Sequence, residues 1–409
     1  MSFMLYSPRV DGETTTRGVA ILMLSFEQVL ATIQEKVAGE NPKPAINTVE
    51  LGSALGRVLA EEVLADRDYP PFHRSTRDGF AVRSAEVIHP PVVLACVGEV
   101  QAGEHFDGFA AAGRCVQILT GAPLPDDLDS VVMIEHVRVE GSKVEINRAV
   151  RPWENVVRRG SEASAGARVL PLGRRIGAGE IGLLASVGKA RVKVFEKPRV
   201  AIIPTGNEVV PVDQAPKWFQ IRNSNAAMLA SQVEAAGGVP EMQGIAPDDA
   251  CALRGLILKG LQSDLLILSG GVSMGKYDLV KQVLGEMGAE FFFHGAAIRP
   301  GKPLLFGRLQ GKFLFGLPGN PVSSYVTFEL FARPVVQCLA GRTFESPVFL
   351  RARLGEGMKN MTGLTTFLPA CVEMKHGEAP CWISAALLVI PGPMVSGLAN
   401  FREGLGRWP

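Results

Sequence analysis

Leu265-Leu266-Ile267-Leu268-Ser269-Gly270-Gly271-Val272-Ser273 decides the fold. Four consecutive apolar residues, too few for a helix, end on a glycine pair, as a strand buried on both faces does. The pattern recurs where residues 200–203 run into Pro204-Thr205-Gly206-Asn207-Glu208, and where residues 313–315 run into Leu317-Pro318-Gly319-Asn320-Pro321. Residues 226–236, 248–262, 278–287 and 321–339 carry helical periodicity, and 291–293 and 304–306 read as further strands. This alternation predicts a parallel sheet covered on both faces over residues 199–341. In such sheets ligands bind beyond the carboxyl ends of strands, where glycine lets backbone amides approach an anion and helix N-termini add positive charge. Three such loops predict one crevice for an anionic, phosphate-bearing small molecule. The structural alternative is that the glycines serve only as tight turns.

The 409 residues suggest roughly three domains. With 47% hydrophobic and 20% charged residues the chain has the composition of folded, globular domains. A formal charge of +1 supplies no field that would gather nucleic acid or an anionic membrane. Six cysteines (Cys96, Cys115, Cys251, Cys338, Cys371, Cys381) show no C-x-x-C pair and no histidine at ligand spacing, so they read as reduced thiols of a cytoplasmic protein. No apolar run reaches the roughly 20 residues of a membrane span. The stretch 18–26 behind Arg17 is stopped by Glu27 without a cleavage site, unlike a signal peptide.

Residues 1–22 form an N-terminal extension short of periodic apolar positions, and Met23 reads as the natural start. Ser25 and Gln28 make a capping box ahead of a helical face of Phe26, Val29, Leu30, Ile33 and Val37. A second amphipathic stretch covers 51–64, and a helix covers 177–187. Between residues 151 and 199 basic residues outnumber acidic ones, which reads as a solvated basic face on a connecting element. Short β-branched runs at 92–100, 115–119, 130–139 and 143–146 make 66–153 a β-rich domain. Residues 198–344 form the α/β domain, and 345–409 a small C-terminal β domain.

Two familiar motifs overlap the second glycine loop. Gly270, Gly275 and Lys276 have Walker A spacing, but Tyr277 stands where a small hydroxyl should bind magnesium. Gly271-Val272-Ser273-Met274-Gly275 matches a nucleophile elbow, yet Asp278 reads as the helix cap five residues after Ser273, and His294 and His376 do not complete the order of a hydrolase triad. Acidic residues gather near the loops: Glu208, Asp248, Asp249 and Asp278. They suit a divalent cation bridging carboxylates to a phosphate, or helix capping in the case of Asp248, Asp249 and Asp278. Arg299 and Lys302 are held by Pro300, Gly301 and Pro303 on a stiff turn suited to an oxyanion.

Upstream, Asp68-Tyr69-Pro70-Pro71-Phe72-His73-Arg74-Ser75 precedes Asp78-Gly79-Phe80-Ala81, and Leu119-Thr120-Gly121-Ala122-Pro123-Leu124-Pro125 precedes residues 131–135. With the three glycine loops and the 299–303 turn, in this order, these strings resemble the molybdopterin molybdenumtransferase family (MoeA and the E domain of gephyrin) over about residues 23–400. The resemblance implies an elongated homodimer of four-domain subunits: a helical spanning region made of residues 23–65 with 154–197, a β-rich domain, a three-layer α/β/α molybdopterin-binding domain and a C-terminal β-barrel-like domain, here shortened. It implies molybdenum insertion into adenylylated molybdopterin, with molybdate as second substrate, Mg2+ as cofactor, phosphoanhydride cleavage and release of AMP. Its cleft would join the α/β domain of one subunit to Asp78 and Thr120 of the other.

Carried onto this chain, the resemblance assigns catalytic roles to Asp78, Thr120, Glu208, Asp248 and Asp278, with Glu208, Asp248 and Asp278 serving the metal and nucleotide. Arg299, Lys302 and Ser323 would hold molybdate. Gly206, Ser224, Ser269, Gly270, Gly271, Ser273, Pro318, Gly319 and Asn320 would hold the pterin phosphate. Molybdopterin adenylyltransferase and other cofactor-pathway proteins are the implied partners. Alternatives are an adenylyltransferase of the α/β-domain type and a non-catalytic scaffold of the gephyrin E-domain type. Departures from the family are Glu162 in place of a shorter acid, Asn207 in place of the acid usual beside Glu208, Gly295 at a commonly basic position, and a chain ending at Pro409 soon after the late motif at 394–400.

Overall fold

The computed structural model describes residues 23–40, 42–272, 278–349, 363–370 and 386–390. The extension 1–22, Ser273, the late motif 394–400 and most of the C-terminal domain lie outside the described residues. The chain divides into two units, Ala45–Glu196 and, together, Met1–Pro44 with Lys197–Pro409.

The second of these carries a six-stranded sheet in the order Val239–Met242, Arg199–Pro204, Leu265–Ser269, Lys312–Leu317, Leu305–Leu309, Glu290–His294. The first four strands run parallel. The last two are antiparallel to their neighbours, which corrects the expectation of a wholly parallel sheet. Only Gln310 and Gly311, both at positive φ (49° and 78°), separate Leu305–Leu309 from Lys312–Leu317. A two-residue link closes a hairpin and is far too short for a parallel crossover. The edge strand Val239–Met242 escapes the periodicity because it is polar-interrupted and partly exposed.

Apolar clusters cover both faces of this sheet. On one, Phe306 stacks on Phe315 with ring centroids 4.8 Å apart, among Val200, Ile202, Leu229, Val233 and Phe331. On the other, Ile203, Leu253, Ile257, Leu268 and Val283 close the layer. The helix Phe26–Glu40 starts at the expected capping box: Ser25 N–H donates to Gln28 Oε1 at 2.8 Å and Gln28 N–H to Ser25 Oγ at 3.2 Å. Its buried stripe of Phe26, Val29, Ile33 and Val37 enters the Phe306 cluster. This helix, grouped by sequence with the spanning region, thus packs with the α/β unit because its apolar partners lie there. The predicted helix 321–339 is Pro321–Thr327 and Arg333–Leu339 joined by a π turn, Phe328–Ala332, where Pro334 removes a backbone donor.

In the Ala45–Glu196 unit a second six-stranded sheet runs Ser130–Met133, Gly79–Val82, Arg114–Ile118, Val92–Val100, Lys143–Ile146, Val137–Glu140. Residues 51–64 do not continue as a helix. Leu51–Ser53 is a single 3-10 turn, Gly56 sits at φ 76°, and Val63–Leu64 pairs with Arg168–Leu170. Ile46–Glu50 likewise pairs with Arg191–Phe195, so the spanning region contains more strand than its periodicity suggested. Its helix is Ala178–Ser186. Near the C-terminus, Thr365–Ala370 joins Ile298–Arg299 and Ala386–Ile390 in a three-stranded sheet.

Because Ile33 is fully buried in the Phe306 cluster, Ile33→Ala should cost the α/β unit about 3 kcal/mol. Hydrogen exchange at the 200–203 amides reads this loss directly.

Candidate functional site

Strand ends 204, 269 and 317 lead into three loops that meet at Gly270. Thr205 N–H donates to Ser269 O at 2.9 Å and Gly270 N–H to Leu317 O at 3.1 Å. Gly270 and Gly271 have φ of 89° and 66°. A Cβ on Gly270 would lie 2.8 Å from Thr205 O, and one on Gly271 would lie 2.7 Å from both Thr205 Oγ1 and Val280 Cγ2. Across the junction a Cβ on Gly319 would sit 3.5 Å from Gly270 Cα. The glycines thus permit loop contact as well as turning, and two expected amide donors are occupied, since Gly206 N–H bonds Ala246 O at 3.0 Å.

Asn225 ties the junction together and was missed in the sequence. Its Nδ2 donates to Ser269 Oγ at 3.0 Å and to Gly319 O at 2.8 Å. It follows the exposed Ser224 in the first turn of the helix Ser224–Ala236, which Asn223 caps. Two asparagines at one helix start were the only sequence signal. Among the described residues, Asn225 Oδ1 and Thr205 Oγ1 are buried without hydrogen-bond partners. Buried polar atoms are normally paired, so two such atoms at one junction suit a bound ligand.

The acidic residues occupy separate stations. Asp248 Oδ2 accepts from Asn207 N–H at 3.3 Å, while Asp248 N–H donates to Asn207 Oδ1 at 3.0 Å. These two reciprocal bonds tie the loop at Asn207 to Asp248. Asp249 caps the helix Ala250–Gly260 by accepting from Ala252 N–H, which frees Asp248 from that task. The Glu208 carboxylate folds over Gly206, where a Cβ would come 2.5 Å from Oε2. Asp278 caps the helix Leu279–Glu286 through Oδ1, which accepts from Lys281 N–H at 2.9 Å. Its Oδ2 is buried and unpartnered. Among the described residues no three His, Cys, Asp or Glu side chains converge as a metal cage. Glu208, Asp248 and Asp278 each make contacts within their own loops.

His294, which completes no hydrolase triad, lies beside Asp278. Its Nε2 lies 3.8 Å from Asp278 Oδ2, and its Nδ1 lies 3.2 Å from Lys281 Nζ. Burial pushes the Asp278 carboxyl above its usual range. Burial, with the neighbouring Lys281 charge, pushes the His294 imidazole down. Neither shift is that of an ion pair, and 3.8 Å is beyond hydrogen-bond length.

The cation turn packs on the third loop's helix. Gly301 has φ 109°, and a Cβ there would lie 2.5 Å from Thr327 Cγ2. Thr327 Oγ1 in turn donates to Ser323 O at 2.8 Å. Asn320 caps this helix, accepting from Val322 N–H at 3.1 Å and Ser323 N–H at 3.3 Å. The turn bearing Arg299 and exposed Lys302 is thereby fixed to the helix bearing Ser323. Gly295, at the commonly basic position, has φ 98°, a conformation that disfavours any side chain.

In the other unit, Asp78 and Thr120 form a pair of their own. Asp78 Oδ1 accepts from Thr120 N–H and from Thr120 Oγ1, each at 2.7 Å. These bonds, the backbone one foremost, hold the Asp78 carboxyl below its usual range. Gly79 is required beside it, since a Cβ would lie 1.9 Å from Val132 O. Glu162 pairs with Arg74 at 3.3 Å on the same unit.

Comparison with known proteins covers both units. Residues 24–188 match the family described as "MoeA N-terminal region (domain I and II)", and residues 201–337 match "Probable molybdopterin binding domain". A molybdopterin molybdenumtransferase of Nostoc sp. is 39% identical over 339 residues, covering 80% of this chain and 78% of the relative. One from Bacillus subtilis is 33% identical, covering 81% and 79%. The crystal structure of a molybdopterin biosynthesis MoeA protein from Pyrococcus horikoshii aligns with TM-score 0.69 at 34% identity, over 87% of this chain and 88% of that one. A second from the same organism aligns at TM-score 0.73 and 27% identity, over 91% of each chain.

A depressed carboxylate pKa contributes stability above the unfolded-state value, and that contribution is lost as pH falls through the folded value. Thr120→Val removes the hydroxyl donor but keeps the backbone donor. The Asp78 pKa should therefore rise part of the way to the ordinary value, moving this loss to higher pH, as followed by carboxyl-carbon NMR titration.

Proposed function

The chain belongs to the molybdopterin molybdenumtransferase (MoeA) family and is an enzyme of molybdenum cofactor biosynthesis that inserts molybdenum; from that premise we propose how its residues divide the work. The carrying observation is the loop junction at Gly270, where Asn225 Oδ1 and Thr205 Oγ1 are buried and unpartnered. It suits the phosphate-bearing pterin end of adenylylated molybdopterin, bordered by Ser224, Ser269, Gly271, Pro318, Gly319 and Asn320. Arg299, Lys302 and Ser323 take the molybdate oxygens, their turn and helix being braced through Gly301 and Thr327.

Phosphoanhydride cleavage develops negative charge that fixed donors and cations can stabilise. Glu208, Asp248 and Asp278 border the nucleotide side. Mg2+ commonly binds through one or two carboxylates plus substrate phosphates and keeps several waters, so it needs no cage of three carboxylates. When bound there it would neutralise phosphate charge. The chain's residues orient the anhydride and stabilise the charge that develops as one water adds across its P–O–P bond, the water oxygen joining one phosphorus and AMP leaving with the other, so that the pterin keeps its own phosphate.

The functional unit in this proposal is a cytoplasmic homodimer in which Asp78 and Thr120 of one copy complete the α/β crevice of the other. Cys96, Cys115, Cys251 and Cys338 are free thiols, which supports a reducing compartment. No helix among the described residues is long and apolar enough to cross a membrane. The adenylyltransferase expected as a protein partner would supply the substrate. An adenylyltransferase reading of this chain itself leaves residues 24–188, matched as family domains I and II, without a task.

AMP release from adenylylated molybdopterin should require both molybdate and magnesium, whereas a scaffold releases none and an adenylyltransferase does not depend on molybdate. Asp278→Asn should abolish release. If it releases AMP normally with excess magnesium, the cation role is wrong. Mixing inactive Asp78→Asn and Asp278→Asn chains should restore roughly a quarter of wild-type turnover if the site is shared between copies of a dimer. No recovery would place the site within one copy.

A further inference from the structure

Asp278 begins the helix Leu279–Glu286, and His294 ends the edge strand Glu290–His294, which continues into the turn carrying Arg299 and Lys302. Both side chains are more than nine-tenths buried. The helix cap occupies Asp278 Oδ1, so Oδ2 is the oxygen left for another partner. An ammonium can only donate, so Lys281 Nζ at 3.2 Å makes His294 Nδ1 an acceptor. The ring proton then resides on Nε2, which is itself buried and unpartnered among the described residues and lies 3.8 Å from Asp278 Oδ2. That separation exceeds a hydrogen bond yet is short of the roughly 4.5 Å spanned by a tetrahedral bridging water with two hydrogen-bond legs. Lys281, His294 and Asp278 therefore form a row of donor, tautomer-fixed ring and carboxylate with one open gap.

We propose that His294 is a positioning residue whose Nε2–H closes onto Asp278 Oδ2 when substrate binds, linking the carboxylate of the nucleotide side to the segment that carries the oxyanion-binding cations. Lys281 supports it by holding the ring in the required tautomer. The carboxylate at the helix start and the cations eight or fewer residues beyond His294 are then set in one movement. The proposal rests on the assignment of Asp278 to the nucleotide side of the crevice. Partners of this kind, acting through a ligand they do not replace, typically change affinity or activity by 10- to 100-fold when removed.

The tautomer is testable without turnover. The chain has six histidines, so long-range 1H–15N NMR of protein labelled at histidine can assign the His294 ring by its loss in a His294→Phe spectrum. The expected result is a proton on Nε2 and a bare Nδ1; a proton on Nδ1 overturns the proposal. In AMP-release assays with adenylylated molybdopterin, molybdate and magnesium, His294→Phe should lower kcat by about 10-fold or more, with KM changed by less than about 2-fold. His294→Gln, which offers an N–H donor at the Nε2 position, should recover most of that loss. Equal kcat values for the Phe and wild-type proteins, or a Gln variant no better than Phe, overturn the proposal. If the wild-type protein releases no AMP, the functional assignment fails instead, and the NMR result stands apart from it.

Discussion

At Gly270 the loops following three parallel strands pass within van der Waals reach, and the junction has no room for a side chain. Thr205 approaches from one strand end and Gly319 from another, and a Cβ on Gly270 would collide with the Thr205 carbonyl. The hydrogen bonds from Thr205 to Ser269 and from Gly270 to Leu317 lock the three strand ends in register beyond the sheet. The Phe306 and Leu268 clusters hold the sheet itself from both sides, so the junction inherits the rigidity of two apolar cores. What the α/β unit offers a ligand depends on this closeness: the Asn225 bridge spans two loops only because they are that near.

Around the junction, chemical roles are distributed over separate stations. Asp248 is clasped by Asn207, Glu208 lies over Gly206, and Asp278 serves a helix start. The Asp78–Thr120 pair is ordered within its own unit by two hydrogen bonds from Thr120 to one carboxylate oxygen. A family whose reaction joins a phosphorylated pterin to an oxyanion suits this division, since binding determinants must recognise two anions at once.

Local chemistry explains why much of the fold was legible. The capping box at Ser25 and Gln28, the apolar run 265–268 and the β-branched run 92–100 each encode their element within a few residues. The antiparallel edge of the α/β sheet was not legible in the same way, because Phe291 and Phe306 read as strands whatever their direction. Its direction is set by the two-residue turn at Gln310 and Gly311, which had to be read as a hairpin. The helix Phe26–Glu40 shows its stripe but not its partners, which lie more than 150 residues away in sequence. In the site, the glycine loops and Asp278 stood out by spacing. Asn225 and the relation of His294 to Lys281 did not, since each acts across 13 or more residues of sequence. Asn207, marked only as a departure, proves to be the partner of Asp248.

The central claim is that the Gly270 junction is the binding site. A crystal grown with AMP and molybdate tests it most directly. Density for both should lie beside the loops of Gly206, Gly270 and Gly319, with Asn225 Oδ1 and Thr205 Oγ1 gaining partners and molybdate against Arg299 and Lys302. Ligand density elsewhere, with those two atoms still unpartnered, would contradict the account.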